Sequence, residues 1–272
     1  ITDSGSHNDS RKWGRGSGMW TWSSSNILIE KNHCLNANGP ADSAGIHIDF
    51  NCNDIIVQYN LSANNAGGFI EILGNNYNNT YRYNISVNDG YRIKGKNGAF
   101  QEGKTVWLSG FAGKGKKRTG PYNTYIYNNT IFTNTDIIAK MAVDRKTAGL
   151  MMVNNIFYIE GQSKLVLGDQ YKPETKGTSA VKNILFKNNV FLRADNWPSD
   201  VLIQDTEPVF GNPDFKNSGG LNIEDYIPRN TSLIKNRGIP LREIPDDMSG
   251  LKGGLQVEHD ILGNKITDAP DM

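Results

Sequence analysis

Two residues that can do acid–base chemistry, His47 and Asp49, lie two positions apart in the apolar stretch GIHIDF (45–50). Because side chains of an extended strand alternate between its faces, His47 and Asp49 share one face and the isoleucines share the other. The same alternation in GFIEIL (68–73) places Glu71 on the polar face of a second strand. Three ionisable side chains would therefore face away from the core on two similar strands.

The catalytic prediction depends on how these two strands stack. With Gly45 beside Gly67, the Asp49 and Glu71 side chains become neighbours outside the core. With Gly45 beside Gly68, the Glu71 carboxylate would lie unpaired in the apolar core, at a cost on the order of several kcal/mol. We therefore predict the first register.

Stacked carboxylates suggest the chemistry of glycosidic cleavage. Two carboxylates one strand spacing apart do not both ionise readily, so the pKa of one of them should rise. A protonated acid can then protonate the leaving oxygen while its ionised partner attacks the sugar or activates water. We predict Asp49 and Glu71 as the catalytic pair, with His47, beside Phe69, orienting the acids or donating to the substrate. The alternative is that these charged groups are merely solvated.

Aromatic side chains are predicted to flank the acid pair on neighbouring coils. Trp20 and Trp22 occupy matching outward positions before it, and Trp107 follows it. Since aromatic faces suit the C–H faces of sugar rings, we predict that Trp20, Trp22, Phe69 and Trp107 bind substrate. Clustered exposed tryptophans usually mark a binding surface unless a loop covers them.

A basic, glycine-rich loop, GFAGKGKKRTGP (110–121), interrupts the pattern near these strands. Its cationic side chains suit the carboxylate or sulfate groups of an acidic polysaccharide. The predicted cationic substrate-binding residues are Lys104, Lys116, Lys117, Arg118 and Arg145. The alternative is a solvated, charged insertion.

The elements that position these residues form a repeat. Short strands ending in asparagine are NILIEKN (26–32), DIIVQYN (54–60), NTYRYN (79–84), NTYIYNN (123–129), GLMMVNN (149–155) and NILFKNN (183–189). A second series alternates with them: GMWTWS (18–23), GIHIDF (45–50), GFIEIL (68–73), TVWLSG (105–110) and KLVLGD (164–169). No amphipathic segment between them is long enough for a helical crossover. The repeat predicts an all-β, single-stranded parallel β-helix, a solenoid with loop insertions.

The repeated asparagines are predicted to stack between coils as a hydrogen-bonded amide ladder. Its predicted members are Asn32, Asn60, Asn84, Asn128, Asn154 and Asn188.

Residues 18–72 resemble the right-handed parallel β-helix repeat proteins of bacteria, a group similar to pectate lyases, polygalacturonases and other β-helical glycosidases. The usual run of that family is a glycine followed by apolar residues alternating with two acids, and then a strand ending in QYN. Here the run is GIHID (45–49) followed by QYN (58–60). Asp49 retains the second acid, whereas His47 replaces the first.

The resemblance implies a right-handed parallel β-helix over residues 1–210 and an irregular C-terminal tail over residues 211–272 that packs on it. Such helices usually open with a capping helix, and none is visible here. We therefore expect N-terminal coils to be missing from this chain.

The same scaffold carries many activities, so the resemblance is specific for fold and poor for chemistry. We predict a glycoside hydrolase that cleaves a complex, acidic polysaccharide and requires no cofactor or metal. The first alternative is a polysaccharide lyase, in which Lys104, Lys140 or Arg145 removes a proton next to a uronate. Asp49 and Glu71 would then bind calcium, which neutralises the uronate carboxylate. The second alternative is a non-catalytic glycan-binding β-helix.

Bulk composition excludes other classes of function. The formal net charge of +1 provides no field toward nucleic acid or a membrane. No apolar run approaches the roughly 18 residues that span a bilayer. We expect an oligosaccharide or polysaccharide partner and a monomer that is secreted, periplasmic or on the cell surface, with no signal-peptide pattern at residue 1. Cys34 and Cys52 are predicted to be buried free thiols, a single disulfide between them being the alternative.

Overall fold

A computed structural model describes residues 1–5, 15–166, 181–266 and 270–272. Its regular structure is almost entirely β-strand, arranged in three parallel sheets and numbered here in chain order. The first sheet contains β1 (Met19–Thr21), β4 (Ile46–Ile48), β7 (Gly68–Ile72), β10 (Lys104–Leu108), β13 (Ala139–Val143) and β16 (Ser163–Leu165). Residues 167–169 of the predicted strand KLVLGD lie outside the described residues.

The second sheet contains β2 (Ser25–Glu30), β5 (Asn53–Gln58), β8 (Thr80–Arg82), β11 (Tyr122–Tyr127), β14 (Ala148–Val153) and β17 (Lys182–Lys187). The third contains β3 (His33–Leu35), β6 (Leu61–Ala63), β9 (Ile85–Val87), β12 (Thr130–Thr133), β15 (Ile156–Ile159), β18 (Val190–Phe191) and β19 (Val209–Phe210). Successive strands of one sheet are mostly three elements apart, so each coil contributes one strand to every sheet. The prediction of an all-β fold made of parallel strands is confirmed; its right-handedness and its single-stranded layout stay predictions.

Helices are few and short. Those in the described ranges are two 3₁₀ segments, Ala194–Asn196 and Ile223–Tyr226, and one α-helix, Thr231–Ile234. Within the described ranges, no helix has the length and apolar character needed to cross a bilayer.

The apolar core lies between the three sheets and follows directly from strand alternation. In the first sheet, Ile48 pairs with Ile72, which pairs with Leu108, and all three side chains are fully buried. His47 of β4 and Glu71 of β7 consequently point outward. This geometry places polar residues of successive coils in a column on the outer face.

The asparagine ladder forms, but from the fourth coil it uses the asparagine after the predicted one. The Asn84 side-chain amide donates to Oδ1 of Asn129 at 2.9 Å, and Asn129 donates to Asn155 at 3.0 Å. The predicted members Asn128 and Asn154 instead have φ of 52° and 58°. Of two adjacent asparagines, the first turns the corner in the left-handed region, which asparagine tolerates, and the second enters the ladder. The prediction that Asn188 belongs to the ladder was likewise wrong, and Asn189 takes its place.

The C-terminal residues 211–266 pack along the outside of the second and third sheets. Nη1 of Arg82 donates to the carbonyl oxygen of Gly254 at 2.7 Å, and the Tyr127 hydroxyl donates to that of Leu255 at 2.7 Å. The tail therefore covers faces other than the outer face of the first sheet. The domain boundary at residue 210 stays a prediction.

Both cysteines are free and buried, as predicted. Burial raises the pKa of the Cys34 thiol to about 11.

Candidate active site

A cleft of about 440 Å³ opens on the outer face of the first sheet. Its lining is Arg15, Asp42, His47, Asp49, Phe50, Glu71, Leu73, Phe111 and Lys114. The fold therefore brings all three predicted catalytic residues to one cavity. A separate cavity of about 300 Å³ lies beneath the C-terminal tail, where side chains such as Ile261 and Met272 line it. We assign that cavity to tail packing.

The register of β4 and β7 differs from the predicted one by two positions. Ile48 pairs with Ile72, which sets Glu71 level with His47 and not with Asp49. A shift of two positions preserves the alternation of side chains, so the three polar groups remain on the outer face.

Two consecutive glycines, Gly67 and Gly68, explain the error in register, because they form the bend that leads into β7. Gly68 pairs with Ala44, so neither glycine aligns with Gly45. A Cβ on Gly67 would lie 1.8 Å from the carbonyl oxygen of Asp42, so the two backbones approach too closely for any other residue. Gly68 has φ of 138°, a conformation that L side chains rarely adopt.

Phe69 was wrongly predicted to face the substrate. It follows the bend at Gly68, is fully buried in the core and packs edge-on against Tyr81, with ring centroids 5.2 Å apart. Simple alternation does not extend through the bend, so Phe69 points inward together with the next residue.

Asp42 is the cleft carboxylate that sequence reasoning missed. Both of its oxygens lie 3.1 Å from Nη1 of Arg15, which forms an ion pair with it. Asp42 and Ser43 have φ of 44° and 58°, which are uncommon for residues other than glycine. Nη1 of Arg92 donates to the Asp42 carbonyl oxygen at 3.0 Å and helps to hold this conformation. Strained backbone held by its surroundings is frequent at active sites.

The signal that would have found Asp42 is its position in a Gly, Pro and Ser-containing loop immediately before the strand of His47 and Asp49. Functional groups are common on loops that a rigid scaffold positions.

Asp49 has the pKa of a useful proton donor. Burial raises the pKa of this carboxyl group from 3.8 to about 6, and the nearby charge of Asp42 contributes to the rise. Its Oδ1 accepts a hydrogen bond from the Phe50 backbone N–H at 2.8 Å, which opposes the rise. Near pH 6 Asp49 therefore exists in both protonation states.

Glu71 is more deeply buried, with 4% of its surface exposed. Burial, followed by the charge of Asp42, raises its pKa well above the usual 4.5. Among the described residues, its carboxyl group has no hydrogen-bond partner. Glu71 consequently holds a proton more readily than an exposed glutamate does.

His47 is uncharged at neutral pH. It is 4% exposed, and burial lowers its pKa to about 4. Its ring stacks on Trp20, with centroids 6.3 Å apart and planes inclined by 15°. Its Nδ1 lies 3.1 Å from Oγ of Ser17.

An aromatic surface borders the cleft, although its members differ from those predicted. Trp20 and Trp22 are 55% and 52% exposed, which leaves their faces open to a ligand. The Trp22 ring meets Phe50 edge-on at 6.1 Å, and Phe50 meets Phe111 at 5.7 Å. Phe50 and Phe111 line the cleft and were not predicted to bind substrate.

Trp107 was predicted to be open to substrate, but it is only 5% exposed. It lies level with Glu71 and packs with Leu73 and Ala142, while Nζ of Lys104 lies 3.7 Å from its ring centroid. The Trp107 side chain does point away from the core, but neighbouring side chains cover its ring.

The basic loop lines the cleft with Phe111 and with one cationic residue, Lys114, whereas Lys116 and Lys117 are exposed and do not line it. Arg118 forms an ion pair with the buried Asp144 and so anchors the loop. Arg145 lies in the turn after β13 and is likewise not a lining residue.

The lysines proposed as lyase bases are held away from the cleft. Lys140 is 1% exposed, pairs with Glu102 at 3.2 Å and donates to the carbonyl oxygen of Arg92 at 2.7 Å. Burial lowers its pKa to about 8. Lys104 is also buried and donates to the Glu102 carbonyl oxygen at 3.1 Å.

A calcium site was the other requirement of a lyase. In the part of the chain that the structure describes, no group of three or more His, Cys, Asp or Glu side chains is arranged to hold a metal ion.

Comparison with known proteins gives one informative similarity. No protein-family model matches the chain. The chain is 23% identical over 280 residues to a lacto-N-biosidase from Bifidobacterium longum subsp. longum. The aligned region covers 94% of this chain and 15% of the relative, so the chain spans a small part of the relative's length.

Proposed function

We propose that the protein is a glycoside hydrolase in which Asp49 is the proton donor. The observation that carries this proposal is the cleft itself, where Asp49, with a pKa of about 6, shares a lining with the ion-paired carboxylate Asp42. Hydrolysis of a glycosidic bond needs an acid that is protonated and a second carboxylate that is ionised.

The reaction uses the proton of Asp49 and the ion-paired carboxylate of Asp42. Protonated Asp49 donates its proton to the glycosidic oxygen as the bond to the leaving sugar breaks. Asp42, whose negative charge the Arg15 guanidinium stabilises, either attacks the anomeric carbon or takes a proton from the attacking water. Burial disfavours the charged form of Glu71, which the sequence suggested as the second acid, so Glu71 suits a binding role better than that of a nucleophile.

The aromatic surface suits a sugar chain that extends out of the cleft. Trp20 and Trp22 present open faces on which sugar rings can stack with little loss of conformational freedom. The curated relative's name supports an oligosaccharide substrate. Membership of the pectate lyase-like group, a monomeric state and a location outside the cytoplasm stay predictions.

The test is to measure cleavage of p-nitrophenyl lacto-N-bioside, chosen from the relative's name, and of a uronate polysaccharide. A hydrolase releases nitrophenol or new reducing ends without an unsaturated product. A lyase instead produces a conjugated product that absorbs in the ultraviolet, and a binding module produces neither. Either of the latter results would overturn the proposal.

Three variants assign the carboxylates. Asp49→Asn and Asp42→Asn should each lower kcat by at least about 100-fold. Glu71→Gln, which keeps an uncharged hydrogen-bonding group, should retain more than about a tenth of wild-type kcat because burial favours the uncharged form of Glu71. If Glu71→Gln abolishes hydrolysis and Asp42→Asn does not, the pair is Asp49 with Glu71. Lys116→Gln, a change outside the cleft, serves as the control.

A further inference from the structure

A short hydrogen-bond chain leads from the backbone to His47. The Ala44 N–H donates to Oγ of Ser17 at 3.2 Å, and the same oxygen lies 3.1 Å from Nδ1 of His47. Ser17 is 8% exposed. Its oxygen accepts from Ala44, so its single hydroxyl hydrogen remains available for Nδ1.

This arrangement selects one tautomer of the imidazole. If Nδ1 carried the hydrogen, the Ser17 hydroxyl hydrogen would have no acceptor among the described residues. If Nδ1 is the acceptor, the Ala44 N–H, the Ser17 hydroxyl and Nδ1 all have hydrogen-bond partners. The ring hydrogen must then be on Nε2. The Ser17 contact therefore leaves Nε2–H as the free donor of His47.

The donor reaches a cavity where a second polar group is unpaired. His47 lines the cleft, one ring face is against Trp20, and Nε2 has no partner in the described part of the chain. Glu71 lies level with it on the next strand, and its carboxyl group is also without a partner among those residues. Both side chains are more than nine-tenths buried, where unpaired polar groups are costly.

We propose that Ser17 holds His47 as an uncharged Nε2–H donor and that His47 and Glu71 together bind an uncharged hydroxyl group of the sugar. The hydroxyl oxygen accepts a hydrogen bond from Nε2–H of His47, and the same hydroxyl group forms a second hydrogen bond with the Glu71 carboxyl group. The binding role rests on the proposed hydrolase function; the tautomer does not.

The surrounding charges are consistent with an uncharged imidazole. The charges of Asp42 and Arg15 act on His47 from the loops that precede β4 and β1. Asp49, two residues after His47, and Glu71, on β7, line the same cleft. Burial and the charge of Arg15 both lower the pKa of His47, and together they outweigh the charge of Asp42, which raises it. His47 should therefore remain an uncharged Nε2–H donor from about pH 5 upward, whereas an ordinary histidine is already mostly charged at pH 5.

The tautomer can be measured by ¹⁵N NMR on histidine-labelled protein, since the chain has only 4 histidines. The His47 signals, assigned with His47→Gln, should show a protonated Nε2 and an unprotonated Nδ1 between about pH 5.5 and 8. Ser17→Ala should shift the ring toward a mixture of tautomers, and Ser17→Thr, which keeps the hydroxyl, should restore it. A hydrogen on Nδ1, or an imidazolium at pH 6, would overturn the assignment even if Ser17→Ala does not fold.

The binding role is tested with p-nitrophenyl lacto-N-bioside as the probe. His47→Phe keeps a ring against Trp20 and removes the donor, so KM should rise about tenfold. His47→Gln keeps an N–H close to the position of Nε2–H, and its KM should stay within about threefold of wild type. Equal KM values for the two variants would overturn the role of the donor. If wild type does not cleave the probe, the binding role fails with the proposed function, whereas the NMR result stands separately.

Discussion

Replacing Asp49 by asparagine should stabilise the protein at neutral pH while it abolishes hydrolysis. Asparagine has the same shape, and its side-chain oxygen can keep the 2.8 Å hydrogen bond from the Phe50 N–H. It carries no charge, so it removes the unfavourable burial that raises the pKa of Asp49 to about 6. The proton donor of the proposed reaction would thus be a site where stability is given up for activity.

The size of the effect follows from linkage between protonation and folding. The pKa of Asp49 is about 6 in the folded protein, against an ordinary value of 3.8. Between those values the folded state binds more protons than the unfolded state, so stability falls as pH rises through this window. The full difference corresponds to about 3 kcal/mol, and solvent screening of this partly exposed group reduces it to about 1.5 kcal/mol. For a chain of this size, Tm should rise by about 3–6 °C.

The measurement is thermal or urea unfolding of wild type and Asp49→Asn at pH 7.5 and pH 4. The gain should be present at pH 7.5 and should largely disappear at pH 4, where the wild-type carboxyl group is protonated in the folded state. Asp136→Asn, at an exposed position, controls for the loss of one negative charge. An Asp49→Asn variant that is less stable at pH 7.5, or equally stabilised at both pH values, would refute the reasoning.

Three further predictions concern the ladder, the aromatic surface and the ion pair. Asn84→Ala should lower the free energy of unfolding by about 4 kcal/mol in urea titrations, because four side-chain hydrogen bonds are lost; a loss below about 1 kcal/mol would contradict the ladder's role. Trp22→Ala should raise KM about tenfold with little change in Tm, whereas Trp107→Ala should lower Tm because its ring is buried; the reverse pattern would contradict these assignments. Arg15→Gln should lower kcat about tenfold or more by removing the cation beside the proposed nucleophile, with Lys116→Gln as the control; unchanged kcat would remove Arg15 from the mechanism.

Strand alternation made much of the site readable from sequence. His47 and Asp49 share a face because they are two residues apart in one strand, and Glu71 has the same relation to the isoleucines beside it. The repeating strands also predicted parallel sheets and stacked asparagines. These inferences succeed because alternation and repeat length are local properties of the backbone.

Strand alternation did not predict which residues become neighbours on adjacent coils. At the Gly67–Gly68 turn, the observed register of β4 and β7 differs by two positions from the predicted one, and Phe69 points into the core. Packing between coils covered Trp107, which alternation alone had placed outside. Register and covering depend on contacts between residues distant in sequence, and the periodic pattern does not contain them.

The sequence by itself determined the coiled all-β architecture and the set of outward polar side chains on its first sheet. Tertiary structure alone decided that Asp42 joins them and that Glu71 lies level with His47. It also decided the protonation states of the cleft, because desolvation depends on the side chains packed around each group. The physical reason is that a strand pattern specifies which way a side chain points, whereas its chemistry depends on what surrounds it.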